Sequence, residues 1–116
     1  MNEVSQNLLN IMQNGDDSVE SKCRRIITLI RDFQSELNDK TELLIKFASY
    51  SENIEMSPQY ITYQEPDLII FKGTISELPA TIIQNVNQVN FLLYGVPKAL
   101  PQEPARRAKI GFDLEA

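Results

Sequence analysis

The basic residues near the C-terminus are the side chains of this sequence with the clearest chemical potential. Residues 98–109 contain a single acid, Glu103, and four cations, which are Lys98, Arg106, Arg107 and Lys109. This local excess of positive charge occurs in a chain of 116 residues with a formal charge of −5. Because the planar donor fork of arginine fits phosphate and carboxylate groups, the window favours a site for a small anion.

Amide and aromatic side chains lie near this basic window and would suit a nucleotide. Amides form hydrogen bonds with ribose hydroxyls and base edges, and they occur at Asn85, Asn87, Gln88 and Asn90. Rings able to stack on a base occur at Tyr50, Tyr60, Tyr63, Tyr94, Phe91 and Phe112. The predicted ligand-binding residues are Arg107, Arg106, Asn90, Lys109, Phe112 and Phe91. A solvated charge cluster, with an arginine paired to Asp113 or Glu115, stays open as the alternative.

Most catalytic chemistry is excluded by composition. The chain has no histidine and a single cysteine, Cys23, which excludes His/Cys zinc sites, Ser-His-Asp and Cys-His triads and an internal disulfide. The acidic pairs Asp16-Asp17 and Glu65/Asp67 lack the pattern of a calcium loop and are typical of helix capping and of a turn. A two-carboxylate hydrolase stays open but is not favoured. We therefore predict no catalytic residue, no metal site, no cofactor and no enzyme activity.

Charge and hydropathy also limit the partners. A pI of about 4.7 argues against a long nucleic acid, because neutralising phosphates requires a dense basic face. The sequence has no apolar run of the roughly 18 residues that a membrane span needs, and no leader-like N-terminus. We predict a cytoplasmic protein without membrane contact, in the host cytoplasm if the gene belongs to a phage. The 42% hydrophobic content fits one α+β domain over residues 1–116.

Helical periodicity predicts two main helices. The first, a long N-terminal helix, has an apolar stripe from Val19 to Leu37, with Asp17 as N-cap and Glu20 completing a capping box. Cys23 falls on that stripe, which indicates a buried small hydrophobe rather than a nucleophile. The second helix is predicted near residues 85–96, and a short helix or arm at 1–15.

Period-two alternation predicts an antiparallel sheet of four to five strands that follow one another as a meander. Pro58 indicates that the second strand lies at an edge or contains a bulge, whereas 68–71 is apolar on both faces and is expected inside the sheet. A fourth strand is predicted near 80–84, and 98–116 is expected to be an extended arm or final strand. Apolar residues on both sheet faces favour a homo-oligomer, a dimer or larger.

Three stretches of the sequence resemble a family of small uncharacterised proteins of bacteria and phages. They are YITYQEPDLIIFKG, TIIQNVNQVNFLL and PARRAKIGF. Members share a strand ending in Phe-x-Gly, a Gln-x-Val-x-Gln-x-x-Phe-Leu-Leu-like helix, and a closing Pro-Ala-Arg-Arg before Gly-Phe. This chain departs from the ending by an extra Ala108-Lys109.

In size and layout, the sequence is also similar to the phage Thoeris anti-defence proteins of the first type. That resemblance implies a small oligomeric protein that sequesters cyclic ADP-ribose isomers made by TIR-domain enzymes, and in some members cyclic oligonucleotides, without converting them. In that family an Asn and an Arg of the C-terminal half contact the ligand, and Asn90 and Arg107 match in residue type and region. The alternative function is a homo-oligomeric interaction module, an adaptor or inhibitor, with no small-molecule ligand.

Overall fold

The computed structural model describes residues 18–48 and 54–98. Within these residues it contains one helix, α1 (Val19–Ser35), followed by five strands. The strands are β1 (Thr41–Phe47), β2 (Ile54–Gln64), β3 (Leu68–Ile75), β4 (Leu78–Asn85) and β5 (Phe91–Pro97). They form an antiparallel sheet in the order β4-β3-β2-β1-β5. The predicted α+β class is confirmed, and the sheet is the larger part of it.

The N-terminus of α1 is capped by Ser18, so the predicted cap at Asp17 is wrong. The Ser18 hydroxyl accepts a hydrogen bond from the backbone N–H of Ser21 at 3.1 Å, which satisfies one of the free donors of the first turn. Along the helix, one stripe of side chains is buried against the sheet: Val19, Cys23, Ile27 and Ile30. Burial of this stripe fixes the rotation of α1 about its axis.

The predicted pair of helices, a long N-terminal one and a second near residues 85–96, is wrong. In the described part of the chain, the 17-residue α1 has no helical partner, and residues 91–97 form β5. The Asn85 side chain accepts from the backbone N–H of Asn87 at 2.8 Å, which forms an Asx turn and caps no helix. The predicted element at 1–15 lies outside the described residues, as does the predicted arm or strand at 98–116 apart from Lys98.

Pairing with β1 explains why residues 91–97 are a strand despite their apolar spacing. All seven residues of β5 are in register with β1, from Phe47 opposite Phe91 to Thr41 opposite Pro97. This ladder satisfies backbone hydrogen-bonding groups on one side of β5, and Phe91 and Leu93 pack against the core. Tertiary context therefore overrides the helical spacing of Val86, Val89, Leu92 and Leu93.

A bulge in β2 bends that strand where its pairing passes from β1 to β3. The first residues of β2 pair with β1, and from Ser57 onward the strand pairs with β3. The register shifts between Pro58 and Tyr60, so of the two predicted alternatives for Pro58 the bulge is correct, and β2 is an internal strand. Residues 68–71 also lie in an internal strand, as predicted. Side chains from both sides of the bulge contribute to one hydrophobic core.

Three phenylalanine rings meet at the centre of that core. The Phe47 and Phe71 rings are 5.0 Å apart between centroids, Phe71 and Phe91 are 5.6 Å apart, and Phe47 and Phe91 are 5.9 Å apart. These residues come from β1, β3 and β5, so the contacts hold both halves of the bent sheet together. None of the helices in the described part of the chain is long and apolar enough to cross a membrane.

Candidate ligand-binding groove

Three side chains on neighbouring strands form a polar row on the outer face of the sheet. Lys72 of β3 lies directly opposite Tyr60 of β2 and opposite Thr81 of β4. The adjacent residues Ile61 and Phe71 are fully buried in the core. Since successive side chains of a strand point to opposite faces, the row of Tyr60, Lys72 and Thr81 faces away from the core.

Two local features align Tyr60, Lys72 and Thr81 across the three strands. Ser76 and Glu77 join β3 to β4 with positive φ values of 52° and 68°, as in a type I′ hairpin turn, which fixes the register that places Thr81 opposite Lys72. On the other side, Gly73 lies opposite the bulge of β2, where a Cβ atom would lie 2.1 Å from the Ser57 carbonyl oxygen. Glycine therefore permits the close approach that positions Tyr60 beside Lys72.

The row forms one wall of a groove of about 260 Å³ between the β2 bulge and β4. Its lining residues include the polar side chains of Gln59, Tyr60, Lys72 and Thr81, together with Pro79 and Ala80. The Lys72 ammonium lies 5.8 Å from the centroid of the Tyr60 ring, within range of a cation–π interaction. The groove thus combines a cation, an aromatic face, an amide and a hydroxyl, which together suit a small anion carrying a planar ring.

A second lysine–tyrosine pair on the sheet differs in its charge balance. Lys46 lies 5.7 Å from the Tyr94 ring centroid, but its ammonium is also 3.8 Å from a carboxylate oxygen of Glu55. Burial, and secondarily Glu55, raises the pKa of Tyr94 to about 12. The carboxylate offsets the charge of Lys46, whereas Lys72 has no ion-pair partner among residues 18–48 and 54–98. Of the two lysines, Lys72 is the better anion ligand.

Tyr63, another predicted stacking residue, connects the helix to the sheet instead. Its hydroxyl donates to a Glu20 carboxylate oxygen at 3.0 Å, and Arg24 donates to the other oxygen at 3.2 Å. These hydrogen bonds, that of Tyr63 above all, lower the pKa of Glu20, and the same bond raises the pKa of Tyr63. Glu20 therefore completes no capping box; it holds α1 to β2.

Only two of the predicted ligand-binding residues fall within the described residues. Asn90 is exposed just before β5, and its backbone carbonyl accepts from the Ala48 N–H at 3.2 Å. Phe91 is half-buried in the aromatic cluster of the core. The others lie outside the described residues: Arg106, Arg107, Lys109 and Phe112. The C-terminal site therefore stays a prediction, and Asn90 and Phe91 do not line the groove.

The groove residues were in part missed by reasoning from the sequence. Tyr60 was predicted as a stacking residue, but Lys72, Gln59 and Thr81 were not singled out. The available signal was Lys72 itself. It is the one cation within the apolar run LIIFKGTI, so the face of the strand that carries it is expected to point away from the core. The residues opposite Lys72 depend on the register of β2, β3 and β4. The bulge shifts the pairing of β2 with β3 by one residue.

Neither metal nor thiol chemistry has a built site in the described residues. No group of three or more His, Cys, Asp or Glu side chains converges there. Cys23 is fully buried in the core, and burial raises the pKa of its thiol to about 11. The prediction that Cys23 is a buried hydrophobe is confirmed.

Comparison with known proteins identifies a family for this chain. A model of a family of unknown function, DUF6173, matches residues 11–113, and no curated protein and no solved structure matches the chain. The matched span contains α1, all five strands and the basic window, so both the groove and the predicted C-terminal site lie inside it.

Proposed function

This chain belongs to the DUF6173 family, and we propose that it is a binding protein that holds a small anionic nucleotide without converting it. The ligand class is a cyclic nucleotide, such as a cyclic ADP-ribose isomer or a cyclic oligonucleotide, and the role is sequestration of an immune signal by a phage anti-defence protein. The observation that supports a ligand of this class is the groove in which Lys72 and Tyr60 lie side by side.

The groove supports this ligand class through complementary contacts. The Lys72 ammonium would bind a phosphate, the Tyr60 ring would stack on a base, and Gln59 and Thr81 would form hydrogen bonds with ribose or base edges. A groove of about 260 Å³ is small for an intact cyclic dinucleotide, so part of the ligand would remain outside it. The basic C-terminal window, with Arg106 and Arg107, is a further candidate for phosphate contacts.

Binding without turnover is supported by the residues present. General acid–base and nucleophilic catalysis most often use histidine or an accessible thiol. The sequence contains no histidine, and Cys23 is buried.

A retention assay tests the proposal. Purified protein is incubated with cyclic ADP-ribose isomers and cyclic di- and trinucleotides and removed by filtration, and the filtrate and the heat-released material are analysed by chromatography. We expect one ligand to disappear from the filtrate and to return unchanged after heating. Lys72→Gln should weaken retention about tenfold or more, because a charge-assisted contact contributes about 1.5–3 kcal/mol.

Matched variants locate the site. Lys46→Gln is the control, because that lysine also lies near a tyrosine ring but is paired with Glu55, and we expect it to retain ligand as the wild type does. Loss of retention in Arg107→Ala but not in Lys72→Gln would move the site from the groove to the C-terminal window. Release of a changed product would indicate an enzyme. If every ligand stayed in the filtrate, the nucleotide proposal would be wrong.

The second candidate function is a homo-oligomeric interaction module without a small-molecule ligand. The observation that favours it is the concentration of exposed large apolar side chains on the two outermost strands of the sheet: Leu78, Ile83 and Leu92. Retention of no ligand together with a stable assembly of copies would favour this candidate over sequestration.

A further inference from the structure

Glu42 of β1 is a buried carboxylate on the face of the sheet that lies away from the core. Its neighbour Leu43 belongs to the core cluster that includes the buried stripe of α1. Since successive side chains of a strand point to opposite faces, Glu42 lies on the outer face. Glutamate on such a face is ordinarily in water, yet Glu42 is only 5% exposed in a single copy of the chain. Another part of the same chain must therefore cover it.

The cover is concentrated at one end of β1. Leu92, on the same outer face, is 57% exposed, and the side chains of Lys46 and Glu55 are 34% and 46% exposed. These three residues lie toward the end of β1 at Phe47, whereas Glu42 lies at the other end of the strand. The side chains of the outer face thus lose solvent most completely where β1 begins.

The chain leaves β5 beside this carboxylate. Val96 lies opposite Glu42 in the register, and the backbone N–H of Lys98 donates to the Lys40 carbonyl at 3.0 Å, so β5 stays next to β1 as far as residue 98. Residues 99–116 follow directly. Residues 1–17, by contrast, precede the first turn of α1, which lies about 25 Å along the helix axis from its last turn.

The charges of the two parts are complementary. A buried carboxylate is stabilised when a cation pairs with it through hydrogen bonds, and the arginine fork supplies two such bonds at once. Arg106 and Arg107 lie in the sequence that follows β5, in a window with a single acid, Glu103. This stretch therefore contains the groups that a buried Glu42 requires.

The spacing of the two prolines lets the arginines return to Glu42. Pro101 and Pro104 favour a turn between them. A reversal of the chain there brings residues 106–108 back to the level of residues 96–98, which is the level of Glu42 on the neighbouring strand. The same reversal directs the residues that follow along the outer face of the sheet.

We propose that residues 99–116 fold back over the outer face of β1 and β5 and place one arginine of the pair 106–107 against Glu42. The apolar residues 110–112 would then reach Leu44, which lies half-buried on the same face. This docking does not rest on the nucleotide proposed above. It assigns one arginine to the fold, and it separates the basic window, over β1 and β5, from the groove over β2, β3 and β4.

Paramagnetic relaxation in NMR spectra of the full chain tests which segment covers Glu42. Cys23 is the one cysteine of the sequence and is fully buried, so a nitroxide reagent will label an introduced cysteine. In labelled Ala108→Cys we expect the amide signals of residues 41–44 and 94–96 to broaden most among those of the strands, and to recover when the nitroxide is reduced. Labelled Ser5→Cys should leave them sharp. Broadening from residue 5 alone would assign the cover to the N-terminal residues, and broadening from neither label would also overturn the proposal.

Unfolding in urea tests the pairing of Glu42 with an arginine. Glu42→Gln should lower the equilibrium constant for folding about a hundredfold, because it leaves a buried cation without its partner. In Arg106→Gln or in Arg107→Gln, the same substitution should have an effect about tenfold smaller, since the pair is already broken.

Glu36→Gln is the matched control for this double-mutant cycle. Glu36 is an exposed carboxylate at the C-cap of α1, and its substitution should be additive with both arginine variants. Additivity of Glu42→Gln with both arginine variants would mean that neither arginine reaches the carboxylate, which would overturn the pairing.

Discussion

The chemical character of a side chain on this sheet depends on what lies across the strand from it. Lys46 and Lys72 lie at nearly equal distances from a tyrosine ring, 5.7 Å and 5.8 Å. Lys46 has Glu55 opposite it in the register, and its charge is compensated. Lys72 has Tyr60 and Thr81 opposite it, and no described residue forms an ion pair with it. Two residues of one type on one sheet thus differ in their electrostatic surroundings because of the residues opposite them.

Burial of Cys23 predicts a loss of stability in alkali. The thiol pKa is raised from about 9.0 to about 11 in the folded protein, so between these values the unfolded state binds fewer protons than the folded one. The stabilising contribution of the Cys23 thiol is therefore complete below pH 9 and is lost as the pH rises through this window. At pH 10 the contribution of Cys23 to the loss should be about 1 kcal/mol, which urea unfolding at pH 7 and pH 10 can measure.

The Cys23→Ala variant is the control for this pH dependence. It will be less stable than the wild type at pH 7, because a buried sulfur is lost and a small cavity remains. The difference in unfolding free energy between pH 7 and pH 10 should nevertheless be smaller in the variant by about 1 kcal/mol. An equal pH dependence in both proteins would show that the pKa of the thiol is the same in the folded and unfolded states, so that burial does not raise it.

Alanine substitutions at Gly73 of β3 and Gly95 of β5 should lower the stability of the protein by different amounts. At Gly73 a Cβ atom would meet the carbonyl oxygen and backbone of the β2 bulge, which cannot move without breaking the ladder. At Gly95 it would meet Thr41 Cγ2 at 2.5 Å and a Leu37 methyl carbon at 3.0 Å, which are side-chain atoms and can shift more readily than backbone. Gly73→Ala should lower the free energy of unfolding by about 3 kcal/mol, and Gly95→Ala by about 1 kcal/mol or less.

Thermal or urea unfolding of both alanine variants measures this difference. Equal effects would mean that β2 can shift away from β3, and that the bulge is not fixed by the close approach at Gly73. Because the bulge positions Tyr60 beside Lys72, Gly73→Ala should also weaken retention of any ligand that binds the groove, while Gly95→Ala should not.

At the scale of elements, sequence reasoning succeeded where local pattern and tertiary structure agree. The strands around Leu43–Phe47, Leu68–Phe71 and 80–84 were predicted because alternation or a short apolar run is preserved in the ladder. It failed at residues 85–96, where apolar spacing fits a helix but the free side of β1 offers a strand partner. No local feature of the sequence reports that partner, because the pairing joins residues about 50 positions apart.

At the scale of the molecule, the candidate site was harder to predict than the fold class. Residue types suited to a nucleotide were recognisable, and Tyr60 among them lies in the groove. The combination with Lys72 and Thr81 arises only when three strands align, and that alignment depends on the β2 bulge and the turn at Ser76 and Glu77. A one-residue change in register would exchange the outer row for core residues, so composition alone cannot specify the groove.

The charge of the whole chain predicts how salt affects the proposed ligand binding. The chain has a net charge of −5, so an anionic ligand would be attracted by the local charge of Lys72 against the repulsion of the molecule as a whole. Raising the ionic strength from about 0.01 M to about 0.1 M shortens the screening length from about 30 Å to about 10 Å. This change should weaken retention of an anionic ligand held by Lys72, and the retention assay in the two buffers measures it. Retention that is lost in Lys72→Gln but does not change with salt in the wild type would mean that Lys72 holds the ligand by a contact other than its charge.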